Sequence, residues 1–198
     1  MKGGRSMLKI KAVAATAVAF IAAALPVLAG SPIPEIEPNN TFGTAQLIAR
    51  SLFIPTGSVA ISGSVSPGDV DYFEVPLLAG DFFVAQLVLV PGPQGNSSVL
   101  GMFDPGANLV AYDLFAPNVL AGLVPSNGGW RVAVSGYPDV GSPFLGDDGI
   151  PFNGTHTQSF NYLLTLSLIP VPEPGGLLAL GTGIAGLLGY SVRRRRAG

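Results

Sequence analysis

The amino-acid sequence predicts an all-β protein, an antiparallel β-sandwich of Greek-key or jelly-roll type, flanked by an N-terminal signal peptide and a C-terminal transmembrane helix. Three observations carry this expectation. The apolar residues of the middle come in short runs rich in β-branched and aromatic side chains, and clusters of Gly, Pro, Asn and Asp separate them. Each end of the chain carries one long apolar stretch beside clustered basic residues.

At the N-terminus, Lys2, Arg5, Lys9 and Lys11 precede "AVAATAVAFIAAALPVLA", with Pro26 as a breaker and small residues around Ala29. A charged region, an apolar run and a small-residue site in that order mark a secretory signal peptide over residues 1–29, cut between Ala29 and Gly30 by signal peptidase. Residues 30–40 then form a linker into a domain over 30–170. Its predicted strands are "SVAISGSV", "DYFEVPLL", "DFFVAQLVLV", "SSVLGMFD", "NLVAYD", "WRVAVSGY" and "FNYLLTLSLI", joined by turns such as "SPGD", "LAGD", "DPGAN" and "SNGG". Alternation is clearest in "DYFEV", where Phe73 and Val75 share one face and Tyr72 and Glu74 the other, and in "NYLLTLSL". "TFGTAQLIA" reads as a short helix.

Charge is distributed by region. Between residues 31 and 170 only Arg50 and Arg131 oppose 11 acidic side chains, a balance of −9. A body of that sign repels nucleic acid and anionic lipid and attracts divalent cations. The chain has no cysteine, which agrees with an exported fold that does not use disulfides.

The C-terminal stretch from Leu177 to Val192 holds sixteen residues without a charge and is followed by Arg193, Arg194, Arg195 and Arg196. At ~1.5 Å per residue it is somewhat short of a ~30 Å hydrocarbon core, a gap that Tyr190 and snorkelling arginines close. The arginines keep this end cytoplasmic and place the body outside. Upstream, Pro172 and Pro174 hold Val171 and Glu173 extended, so the segment cannot join the helix. Val171, Pro172, Glu173 and Pro174, the apolar helix and the arginine cluster together resemble the PEP-CTERM sorting signal of exported Gram-negative proteins, over residues 171–198. That resemblance implies an inner-membrane intermediate with its body in the periplasm. It also implies recognition by an exosortase, removal of the tail near the motif, and delivery to the cell surface or an exopolysaccharide matrix.

The body has a resemblance of its own. Glu37-Pro38-Asn39-Asn40-Thr41, Thr44 and Ala45, Gly63, Asp69-x-Asp71-Tyr72-Phe73 and Ala79-Gly80-Asp81 are similar to the first half of the bacterial pre-peptidase C-terminal domain, a small β-sandwich found beside secreted proteases. "GMFDPGANLVAYD" resembles its D-x-x-G hairpin, and the last two strands match as well. The departure is "PDVGSPFLGDDGIPFNGTHTQS", a long turn-rich segment between those strands, over 138–159.

The acidic residues suggest one chemistry. Alternation puts Glu35, Glu37 and Asn39 on one side of an extended segment and Asp69 and Asp71 on one side of another. Were the segments to meet, five oxygen-bearing side chains would converge, a set suited to Ca²⁺. The resemblance adds to this, because some pre-peptidase C-terminal domains bind calcium through such residues. The competing reading has Asn40 or Thr41 capping the short helix and Asp69 closing the "SPGD" turn. Asp139, Asp147, Asp148 and Asn153 form a weaker second group.

Catalysis finds little support. "GTGIAG" over 181–186 fits a dinucleotide-binding turn, but it lies in the apolar tail without the required acidic partner. His156 is the single histidine; it reads as a solvated loop residue or as the one base for a Ser-His-Asp arrangement. Trp130 either stacks on a sugar or is buried in its strand. The sequence thus predicts a non-enzymatic binding or structural module with polysaccharide or surface-protein ligands. An accessory to a secreted protease is the alternative, and a cryptic hydrolase the third option.

Overall fold

In the computed structural model, residues 31–90, 98–114, 116–170 and Thr182 are described. The expected signal peptide with Ala29 and Gly30, the Val171–Pro174 motif, the 177–192 helix and Arg193–Arg196 lie outside these residues. Among the described residues no helix is long and apolar enough to cross a membrane.

Ten strands build two sheets. They are β1 (Ile33–Pro34), β2 (Gln46–Leu47), β3 (Ser58–Val65), β4 (Asp71–Leu77), β5 (Phe82–Leu89), β6 (Ser98–Phe103), β7 (Leu109–Leu114), β8 (Asn118–Leu123), β9 (Gly128–Gly136) and β10 (Phe160–Ile169). One sheet has the order β1-β3-β10-β5-β8 and the other β2-β4-β9-β6-β7. The chain passes back and forth between them, and only β6 and β7 are both consecutive and paired. All the long ladders are antiparallel. The two short edge ladders, β1 on β3 and β2 on β4, are parallel, which makes both sheets mixed.

Period-two patterning sets which residues meet between the sheets. In β10, Tyr162, Leu164, Leu166 and Leu168 point inward, and in β4 Phe73, Val75 and Leu77 meet them from the other sheet. Trp130 is buried in the same core, where its Nε1 donates to the Ser126 carbonyl at 3.0 Å, so it presents no sugar-stacking face. The expected hairpin is present: Asp104 accepts from the backbone N–H of Gly106 and Asn108 and closes the β6–β7 turn.

The 138–159 segment does not hang from the sandwich. It lies over the outer face of the second sheet, where Val140 and Phe152 pack on Val70, Tyr72, Val99, Phe103 and Ala133 as a second apolar cluster. The Tyr72 hydroxyl donates to the Phe152 carbonyl at 2.9 Å. The segment's acids hold its backbone. Asp139 accepts from Asn153 N, Gly154 N and the Ser135 hydroxyl; Asp147 accepts from Val140 N, Gly141 N and Asp148 N. Asp148 accepts from Ile150 N, Asn153 Nδ2 and Thr155, bonds that hold its carboxyl below the usual carboxylate range. The second acidic group suggested by the sequence is therefore committed to loop structure.

The helix expected over "TFGTAQLIA" is absent. Thr41 and Thr44 bond reciprocally in a tight turn, and the chain then extends into β2, where Ile48 N donates to the Glu74 carbonyl at 2.8 Å. Sheet pairing has overridden local propensity, and a 3₁₀ turn follows over Arg50–Phe53. Residues 31–48 form a strap along the side where β3 and β4 lie. Gln46 fastens it, accepting from Ile36 N at 2.8 Å and donating to the Pro34 carbonyl.

Glycine 63 lets the strap meet the core. A Cβ there would stand 2.3 Å from the Tyr162 hydroxyl and 2.2 Å from Glu35 Oε2. Gly63→Ala is expected to cost ~1–3 kcal/mol in urea unfolding by overpacking. Gly122→Ala, in a strand position where nothing lies within 4 Å, is expected to stay within ~0.5 kcal/mol of wild type.

Candidate cation site

Asp71 opens β4 on the same face as Phe73 and Val75, so its carboxyl points into the end of the core and is fully buried. Opposite stands Tyr162 of β10, whose hydroxyl lies 2.7 Å from Asp71 Oδ2 and 2.9 Å from Glu35 Oε2. A phenol carries one proton and cannot donate fully to both oxygens. Burial, reinforced by the carboxylates of Glu35 and Asp69, outweighs the Tyr162 hydrogen bond and pushes the Asp71 carboxyl up to about 9. Around neutral pH Asp71 is then protonated, and the Tyr162 hydroxyl is shared between it and Glu35. Burial and the same two carboxyls push the Tyr162 phenol far above its ordinary value.

The strap brings the other candidates. Asn39 is fully buried; its carbonyl accepts from Tyr72 N at 3.0 Å, and its N–H donates to Glu37 Oε2 at 2.9 Å. Asp69 closes the "SPGD" turn, its N–H donating to the Ser66 carbonyl, and its Oδ1 accepts from Asn40 Nδ2 at 2.8 Å. Oxygens of Glu37, Asp69 and Asp71 lie within 4.8 Å of one another. Oxygens that share one Ca²⁺ at ~2.4 Å lie no more than about 4.8 Å apart, so the spacing fits.

The Asn39 side chain is informative. Its amide nitrogen faces Asp71 Oδ1 and Glu37 Oε2 and donates to both, each at 3.2 Å. The carboxylate oxygens gathered there are hard donors, of the kind that suits Ca²⁺ or Mg²⁺.

Three of the five expected ligands, Glu37, Asp69 and Asp71, converge, and Asn39 stands beside them with its amide nitrogen toward two of the carboxylates. Glu35 does not join them; its Oε1 accepts from Ser64 N at 2.8 Å and its Oε2 is held by Tyr162. Two residues of the site were not anticipated. Tyr162 showed only an inward alternation, and nothing local announced that its hydroxyl would meet two carboxyls. His156, expected in solvent or in a triad, is buried, with Nε2 2.7 Å from the Asp69 carbonyl and Nδ1 accepting from Gln158 N at 3.2 Å. Both ring nitrogens are taken by backbone, so the triad is not formed, and His156 instead ties the 138–159 loop to the turn that carries Asp69.

Comparison with known proteins bears chiefly on the tail. The PEP-CTERM protein-sorting motif matches residues 170–196. The chain is accordingly an exported protein of the kind sorted by exosortase. No curated protein matches it. Among solved structures, the Aeromonas hydrophila periplasmic inhibitor of g-type lysozyme, PliG, is 14% identical, covers 63% of this chain and 97% of its own, and has a TM-score of 0.44. The pre-peptidase C-terminal domain of a Bacillus anthracis collagenase is also 14% identical, with 62% and 94% coverage and a TM-score of 0.40. PliG from Salmonella Typhimurium is 11% identical, with 64% and 100% coverage and a TM-score of 0.40.

The raised Asp71 carboxyl fixes a pH dependence for the cation-free protein. Between the ordinary carboxylate range and about pH 9 the folded state binds a proton that the unfolded chain has released. Stability therefore falls as pH rises across that window. In chelator, Asp71→Asn, which mimics the protonated acid, is expected to flatten this slope and to melt ~3–5 °C above wild type at pH 8. Identical pH profiles for the two proteins in differential scanning calorimetry would contradict it.

Proposed function

We propose that this chain is an exported, non-enzymatic surface module. Its sandwich takes up Ca²⁺ through Glu37, Asn39, Asp69 and Asp71, and it serves a binding or structural role at the cell surface or within an exopolysaccharide matrix. The observation that carries the cation reading is the gathering of Glu37, Asp69 and Asp71 oxygens within 4.8 Å of one another. The sorting motif supports the destination.

The site stands where the strap, the start of β4 and β10 meet, and a bound cation would cross-link all three. Its mechanical effect would be to fasten the N-terminal strap to the core. The −9 body supplies the attraction for a cation and leaves the polar face of the strap to solvent. The one histidine is spent on backbone contacts, which supports the non-enzymatic reading.

Two measurements test the parts separately. At a Ca²⁺ concentration ~100 times the dissociation constant, linkage gives ~2.7 kcal/mol of stabilisation, so Tm of the wild type should rise by several degrees. Asp69→Asn should lose most of that rise and Glu35→Gln only part of it. Equal Tm with Ca²⁺ and with chelator would reject the cation reading. Intact mass of the protein from fractionated cells and medium should show loss of both residues 1–29 and the tail; a full-length chain in the cytosol would reject the export route.

A further inference from the structure

β10 begins at the cation cluster and ends, ~30 Å away along ten extended residues, beside a groove that the cation reading leaves unused. Phe53, Ile54, Pro55, Leu78, Leu168 and Pro170 line it, and its volume is about 370 Å³. That lies within the ~300–1,000 Å³ range of pockets that hold small ligands. Ile54 is 77% exposed and Leu78 43%, so the apolar wall is open to solvent. Arg50 forms part of the lining, its guanidinium forked onto the buried carboxylate of Asp81.

We propose that this groove holds the chain's own Val171-Pro172-Glu173-Pro174 segment against the sandwich. Position argues for that occupant first. Pro170 is itself a wall of the groove, and the four residues that follow can extend at most ~14 Å from it. So short a tether raises the local concentration to the millimolar range. Conformational cost argues next. Pro172 and Pro174 fix their own φ, so the segment arrives already extended and loses little entropy on docking against apolar and aromatic walls.

Docking makes exposure of the motif an equilibrium. The segment offered to a processing enzyme is the released form, and the groove side chains set its share. This consequence rests on the sorting reading; the docking itself does not.

The absence of cysteine allows a direct test by disulfide trapping in the full-length chain. One variant carries Ile54→Cys with Gly175→Cys. The control carries Leu123→Cys with Gly175→Cys: Leu123 is 71% exposed at the same end, next to Phe82, which pairs with Ile169. The groove pair is expected to oxidise at least tenfold faster than the control. Equal rates would overturn the proposal, as would equal protection of both positions from a water-soluble thiol reagent only when the chain sits in lipid vesicles, which would assign this end to the membrane surface. Melting curves of each single variant confirm folding. Failure of the sorting reading would appear separately, as an uncleaved tail in cells with the trapping result unchanged.

Discussion

A carboxyl group buried at the end of a β-sandwich is the constraint around which the rest of this protein is arranged. Asp71 occupies a core-facing position of β4, where a carboxylate alone would be costly, and it is tolerated because Tyr162, Asn39 and a proton answer its charge. Gly63 has no side chain so that Tyr162 can reach Glu35. The strap runs along the sheet edges so that Glu37 and Asn39 arrive opposite Asp71. The long loop crosses the second sheet and, through His156, holds the turn that delivers Asp69. Features far apart in sequence are thus tied to one buried oxygen cluster.

The two ends of the sandwich have different characters. One end is acidic, polar and cross-linked by hydrogen bonds among the strap, β4 and β10. The other is apolar at its surface, carries the paired Arg50 and Asp81, and is where the chain leaves for its sorting tail. The polarity follows from strand direction: β10 enters the sheet at Phe160 beside the acids and leaves it at Ile169 beside the groove.

The sandwich itself was legible because period-two patterning is plain in strands such as β4 and β10. The inward set Tyr162, Leu164, Leu166 and Leu168 and the division of Phe73 and Val75 from Tyr72 could be read directly, as could the Asp104 hairpin. The 41–49 segment was misread as helix because its local composition permits one, whereas the outcome depended on β4 offering hydrogen bonds to Gln46, Leu47 and Ile48. The candidate site was legible in part. Alternation grouped the right acids, yet it could not separate Glu35 from Glu37: the parallel pairing of β1 with β3 turns Glu35 toward Ser64 and Tyr162. Partners 91 and 127 residues distant, Asp71 and Glu35 for Tyr162, leave no mark in local sequence. The 138–159 acids carried metal-like spacing, but each oxygen was already owed to a loop N–H.

The account turns on the proton that Asp71 holds when no cation is present. Adding Ca²⁺ to the metal-free protein in weakly buffered solution at pH 7, with the released acid followed by a pH-stat, tests this most directly. Displacement of the Asp71 proton predicts close to one proton released per Ca²⁺ bound, and none from Asp71→Asn. Calcium binding without proton release would mean that Asp71 is ionised in the empty site and that the burial argument is wrong.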